Sequence, residues 1–142
     1  MSNIQPSVAF FLELGRTQAI MARRFDSGLG GLGLTEFMIL YHLSTAENER
    51  MRRIDLAEKV GLTPSGVTRL LAPMEKVGLI KREAYAEDAR VSQVMLVSGG
   101  KRKLEEGMER AEVLTEDIFS AVGIKNPKAL LETLRKLGKI RC

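Results

Sequence analysis

The sequence holds a single cysteine, Cys142 at its last position, one histidine, His42, and no tryptophan. A lone cysteine cannot close an internal disulfide, which agrees with a reducing compartment. At a chain end it reads as an exposed thiol, without the thiolate-stabilising surroundings a redox sensor needs. His42 has no second histidine or cysteine near it in sequence, so it reads as a packed or surface residue rather than a metal ligand or a catalytic base. No apolar run approaches the ~18 residues of a membrane span. The start, MSNIQPSVAFFLELG, lacks the basic region and small-residue cleavage site of a secretory signal. A cytoplasmic protein without membrane association is expected. No paired-carboxylate site, metal-ligand spacing, nucleophile motif or phosphate loop stands out, so neither an enzyme nor a cofactor is expected. Internal repeats and low-complexity tracts are also missing.

What is present is ordinary in amount and uneven in placement. The 142 residues are 44% apolar and 28% charged, the composition of one soluble domain able to bury a core. The net charge of +4 is not spread evenly. Residues 1–49 carry 3 basic and 5 acidic side chains, and residues 104–142 carry 7 of each. Residues 50–103 carry 12 basic and 6 acidic. A basic centre between neutral flanks is the electrostatic footprint of a polyanion-binding module. Charge alone is equally compatible with a solvated lysine-arginine surface.

The centre also holds the most informative stretch, IDLAEKVGLTPSGVTRLLAPMEKVG from Ile54 to Gly78. A short amphipathic helix ending at Val60, a Gly61-Leu62-Thr63 turn and a second helix from Pro64 form a helix-turn-helix pattern. That arrangement places a second helix in the major groove of DNA, although a buried two-helix corner has the same pattern. Thr63 is placed to cap the second helix and Pro64 to fill its first position. Helical spacing puts Val67, Leu70, Leu71 and Met74 inward and leaves Ser65, Gly66, Thr68, Arg69 and Ala72 outward. Ser65 and Thr68 suit phosphates or base edges, Gly66 allows close approach, and Arg69 can meet guanine O6 and N7. Pro73 removes a mid-helix hydrogen bond at a cost of roughly 3 kcal/mol, so a kink is expected there and a stop at Gly78.

Around this unit the pattern reads helix, helix, helix-turn-helix, hairpin, long helix, helix. Val8 to Phe25 is apolar almost all round, which implies burial, here against a second copy of the chain. Residues 26–33 carry four glycines and read as a flexible connector. Their literal G-x-G-x-x-G follows a helix, not the strand that a dinucleotide site requires. Thr35 is the expected cap of a helix over 36–44, and 51–53 suggest a very short strand. Leu79 to Glu83 and Val91 to Val97 form two strands, with Ala84 to Arg90 as a polar turn. A hairpin directly after a helix-turn-helix is a wing. Arg90 is its candidate for minor-groove insertion, with Asp88 orienting a nearby arginine; an exposed tip salt bridge is the plainer possibility. Arg52, Arg53, Lys81 and Arg82 flank the unit as candidate DNA-backbone contacts, giving affinity and salt dependence without sequence choice. A helix over 101–122 and a last one capped by Asn126 and started by Pro127 complete the chain.

The segment LAEKVGLTPSGVTRLLAPMEKVGLIKRE, the order of elements and the wing residues Glu87-Asp88-Ala89-Arg90 resemble the MarR family of bacterial winged-helix regulators. The resemblance covers Leu34 to Val122. The family wing reads Asp-x-Arg, often Asp-Arg-Arg; Asp88 and Arg90 match it, whereas Ala89 loses one possible phosphate contact. The resemblance implies a mainly α fold with a small β-hairpin. A winged helix-turn-helix (34–100) would be flanked by N- and C-terminal dimerisation helices (1–25 and 101–142), within a single domain over 1–142. It implies a homodimer on near-palindromic double-stranded operators, acting as a repressor and released by a small aromatic or lipophilic ligand. Release by cysteine oxidation, known in one branch, is not expected, because Cys142 does not match that branch's N-terminal sensor. Ala89 and Pro73 keep one alternative open, a winged-helix interaction module that has lost DNA binding.

Overall fold

The computed structural model describes residues 3–85 and 88–140, without the side chains of residues 84–91. Glu87 and Cys142 therefore lie outside the described residues, as do the side chains of Asp88, Ala89 and Arg90. The elements are α1 (Pro6–Gly28), α2 (Leu34–Thr45), β1 (Arg50–Arg52), α3 (Arg53–Val60), α4 (Pro64–Lys76), β2 (Ile80–Tyr85), β3 (Asp88–Leu96), α5 (Ser98–Ala121) and α6 (Lys128–Leu137). The three strands form one antiparallel sheet in the order β1-β3-β2. Arg50 pairs with Met95, and Ile80 with Leu96. The architecture is the expected one, mainly α with a winged helix-turn-helix, and β1 joins the hairpin as a third strand.

One core serves the middle of the chain. Ile39, Leu40 and Leu43 of α2, Leu56 of α3, and Val67, Leu71 and Met74 of α4 have no exposed surface. Val94 and Ile80 close it from the sheet, and Leu104 and Ala111 from α5. The stretch between α1 and α2 differs from the flexible connector expected. Leu29 is fully buried and Leu32 almost so, because the leucines between the glycines supply apolar anchors that a glycine count ignores. Polar contacts hold the same stretch: Lys103 Nζ donates to the Gly30 carbonyl at 2.8 Å, and the Leu34 N–H to Asp26 Oδ1 at 2.8 Å. The start of α2 is also corrected. Gly33, not Thr35, precedes it, and the Glu36 carboxylate accepts from the Gly33 N–H at 2.8 Å, the returning half of a capping box.

Two further expectations change. Helix α4 runs as one helix through Pro73 to Lys76. Pro73 lies on its exposed face, where the missing bond to the Arg69 carbonyl is open to water. Strands β2 and β3 continue to Tyr85 and from Asp88, with Tyr85 opposite Asp88 and an irregularity between Glu83 and Tyr85. Asp88 and Arg90 thus belong to strand β3, not to a loose polar turn. Backbone pairing needs no buried face, so the ladder persists where the hydrophobic alternation stops.

Helix α5 starts in close contact with the end of the helix-turn-helix. A Cβ on Gly100 would occupy the position of the Leu79 carbonyl oxygen, so only glycine permits this backbone approach. Glu49, in a one-turn 3-10 helix before β1, pairs with Lys101 of α5 at 2.6 Å. Substituting Gly100→Ala should therefore lower stability by roughly 1–3 kcal/mol through overpacking. Urea unfolding of the variant beside the parent chain measures it, and an unchanged midpoint would show that the seam is loose.

Candidate nucleic-acid interface

Helix α3 ends at Gly61, whose φ of 74° lies in the left-handed region. The Gly61 and Leu62 N–H groups reach back to the Glu58 and Ala57 carbonyls, the paired bonds of a Schellman motif. After the turn, Thr63 Oγ1 accepts from the Gly66 N–H at 3.1 Å, and Pro64 takes the first helical position. Burial of Val67, Leu71 and Met74 then fixes the rotation of α4 about its axis. Leu70 is half-buried beside them. With that face held inside, Thr63, Ser65, Thr68, Arg69 and Ala72 are exposed and Gly66 is partly so, as the helical spacing predicts.

Their chemistry is not uniform. Ser65 Oγ lies 3.3 Å from Thr63 Oγ1. The Thr68 hydroxyl donates to the Pro64 carbonyl at 2.9 Å and accepts from Arg53 Nη1 at 3.1 Å. Its one proton is committed within the protein. Among the described residues, the Arg69 side chain makes no hydrogen bond or ion pair, and neither does that of Lys81. Both are exposed and able to meet an anion, with the Glu75 charge acting on Lys81 from nearby.

The remaining backbone-contact candidates are engaged. Arg52 grips Asp55 through two bonds, 2.9 and 3.2 Å. That hydrogen bonding, reinforced by the Asp55 charge, raises its pKa above the ordinary arginine value. Arg53 bonds the Pro64 carbonyl and Thr68, both at 3.1 Å. Arg82 pairs with Glu75 at 3.0 Å, and its own N–H donates to the same carboxylate at 2.9 Å. Exposed pairs of this kind are weak and exchange readily for other anions. Arg52 and Arg82 can therefore still turn to a phosphate. Asp88 and Arg90 sit at the start of β3.

The fold brings Arg53, Ser65, Thr68, Arg69, Glu75, Arg82 and Ser92 around one open cleft between α4 and the sheet. Glu75 and Ser92 escape a reading of the sequence. Glu75 is one more charged residue on a helix, and its link to Arg82 depends on how the chain turns at Gly78, where φ is 81°. His42 lies outside the cleft on α2, edge-on to Tyr41 at 5.3 Å. Burial, then Lys59, lowers its pKa. Among the described residues no cluster has the makeup of a metal site, and no helix is long and apolar enough to cross a membrane.

The Arg82 N–H, followed by its guanidinium, holds the Glu75 carboxyl below its ordinary value of 4.5. A depressed carboxyl stabilises the fold fully above its unfolded value and loses that contribution as pH falls through the folded value. Glu75→Gln should thus be less stable than the parent at neutral pH, with the gap closing at an acid pH below the lowered folded value. Urea titrations at both pH values check this. A gap that does not change with pH would mean that the charge of Glu75 contributes nothing.

Comparison with known proteins places this geometry. The MarR family model matches residues 32–92. The transcriptional repressor YetL of Bacillus subtilis is 30% identical over 102 residues, 70% of this chain and 61% of that protein; the matched part is thus under two thirds of its length. The Mycobacterium tuberculosis regulator MosR, solved in complex with DNA, superposes with a TM-score of 0.76 at 24% identity, covering 90% of this chain and 92% of that one. The organohalide-sensing regulator RdhR, in its 2,4-dichlorophenol-bound form, gives a TM-score of 0.79 at 18% identity, covering 95% and 80%. The two superpositions take in nearly the whole of this chain, not the helix-turn-helix alone. Residues 32–92 thus match the MarR family of transcriptional regulators, on a fold shared with solved winged-helix regulators of that family.

Proposed function

We propose that the protein is a cytoplasmic homodimeric repressor that binds near-palindromic double-stranded operators in a sequence-specific way and is released by a small aromatic or lipophilic effector. The observation that carries the reading is Arg69, unpaired on the outward face of a helix whose opposite face is fully buried. Arg69, with Ser65 at the helix start, is suited to base edges, and Gly66 allows the close approach. Lys81, Arg52 and Arg82 would meet phosphates, and Arg90 the minor groove beside the wing with Asp88 as its support. The repressor assignment is supported by the name of YetL, and the effector class by the dichlorophenol-bound form of RdhR.

The dimer is supported by apolar side chains left exposed, among the described residues, on two helices. Phe10, Phe11 and Leu12 of α1 are 43–61% exposed, and Leu130, Leu131 and Leu134 of α6 are 43–50% exposed. Burying such surface contributes about 25 cal/mol per Å², and a two-fold dimer would set two α4 helices about one DNA turn, ~34 Å, apart.

Arg69→Ala should relax discrimination at one base pair per half-site, costing roughly 1–3 kcal/mol. Lys81→Ala should weaken all duplexes alike and flatten the salt dependence by about one unit of slope. Mobility shifts across a salt series, on DNA from upstream of the protein's own gene, separate the two; identical behaviour would remove Arg69 as a reader. A parent chain that binds no duplex at low salt while remaining dimeric would favour an interaction module instead.

The double substitution Leu131→Glu, Leu134→Glu should give a monomer by sedimentation and lower operator affinity on the order of 10- to 100-fold, as two half-sites cease to be bound as a unit. A dimer that survives this change would place the interface elsewhere.

A further inference from the structure

Arg53 stands apart from the other cations of the interface. It opens α3, yet its guanidinium reaches eleven residues along the chain to the first turn of α4. One nitrogen, Nη1, lies 3.1 Å from the Pro64 carbonyl and 3.1 Å from Thr68 Oγ1. The Thr68 hydroxyl closes the triangle by donating to the same carbonyl at 2.9 Å. A cation at a helix N-terminus opposes the helix dipole, so the arrangement is not explained by helix stability. The two held residues immediately precede the proposed readers: Pro64 comes before Ser65, and Thr68 before Arg69. Arg53 is also partly buried, whereas Arg69 and Lys81 are exposed.

We infer that Arg53 is a positioning residue for sequence reading: with Thr68 it fixes the tilt and register of the first turn of α4, and so the aim of Ser65 and Arg69. Without this bridge, the first turn is held by the Thr63 cap and by Val67. These fix the helix rotation, but they leave its N-terminal end able to rock about the buried face. Rocking degrades base contacts, which depend on angle, far more than phosphate contacts, which depend on charge. Nη1 carries two hydrogens held in the guanidinium plane, so their directions are fixed; a lysine ammonium presents a point charge without that fixed geometry.

The inference rests on DNA reading by α4, and its test keeps the two apart. The probes are a duplex carrying the sequence enriched by the parent protein from a random library, and a scrambled duplex of equal length. Arg53→Ala should lower the ratio of selected to scrambled affinity on the order of tenfold, the size of one good base contact, with the salt slope unchanged. Thr68→Val should reproduce that loss, Thr68→Ser should restore the ratio, and Arg53→Lys should not. Partial unfolding would lower both affinities together and leave the ratio intact. The inference is overturned if Arg53→Ala weakens both duplexes equally and lowers the salt slope by about one, with Arg53→Lys restoring binding; Arg53 is then a phosphate contact. Enrichment of no sequence by the parent protein would remove both readings at once.

Discussion

The interface depends on the burial of Val67, Leu71 and Met74 against α3 and the sheet. These side chains recur at intervals of four and three residues, one stripe of an α-helix. Once that stripe is inside, the rotation of α4 is fixed and the identity of its outward face follows. The caps at either end serve the same outcome. Thr63 holds the first turn, and Gly78 ends the helix with its N–H on the Glu75 carbonyl and that of Leu79 on the Met74 carbonyl. A substitution that loosened this burial would disturb every outward residue together, whereas one on the outward face would alter only its own contact.

Charge in the reading head is organised as much for geometry as for attraction. Three of its arginines, at positions 52, 53 and 82, hold acceptors of the protein itself. Glu75 and Arg82 tie the second half of α4 to β2, and Glu49 and Lys101 tie the turn before β1 to α5. These pairs are exposed and individually weak. Their contribution lies in orientation: they join helix, wing and α5 into one body while leaving guanidiniums near the surface that a polyanion would approach. The 12 basic residues of 50–103 are therefore an upper bound on the free cations there, not a count of them.

The core is one-sided. It fills the middle of the chain, takes only Leu104 and Ala111 as buried hydrophobic residues from α5, and includes no buried residue of α1 or α6. The glycine-rich join between α1 and α2 packs onto α5: a Cβ on Gly28 would meet Leu114 at 2.9 Å, and Gly107 faces Leu32 and Phe37. The flanking helices and the reading head thus meet along a tight seam of small residues, and movement of α5 would be felt by α2.

The sequence by itself determined the helix-turn-helix and the outward set from Thr63 to Ala72, because capping and helical period are local and repeat every turn. The turn at Gly61 was legible for the same reason, since left-handed backbone favours glycine. Its reading stopped where distant residues decide. The connector over 26–33 looked flexible because leucine burial depends on what α5 brings to it. Thr35 looked like a cap because it resembles one, but the Gly33 N–H and Glu36 meet instead. The hairpin was drawn too short because its backbone ladder continues past the residues whose hydrophobic alternation marks a strand. Above all, the sequence offered Arg52, Arg53, Lys81 and Arg82 as one kind of residue. The tertiary structure separated them, because whether a cation is free depends on which acceptors the fold carries to within about 3 Å of it, and no spacing along the chain records that.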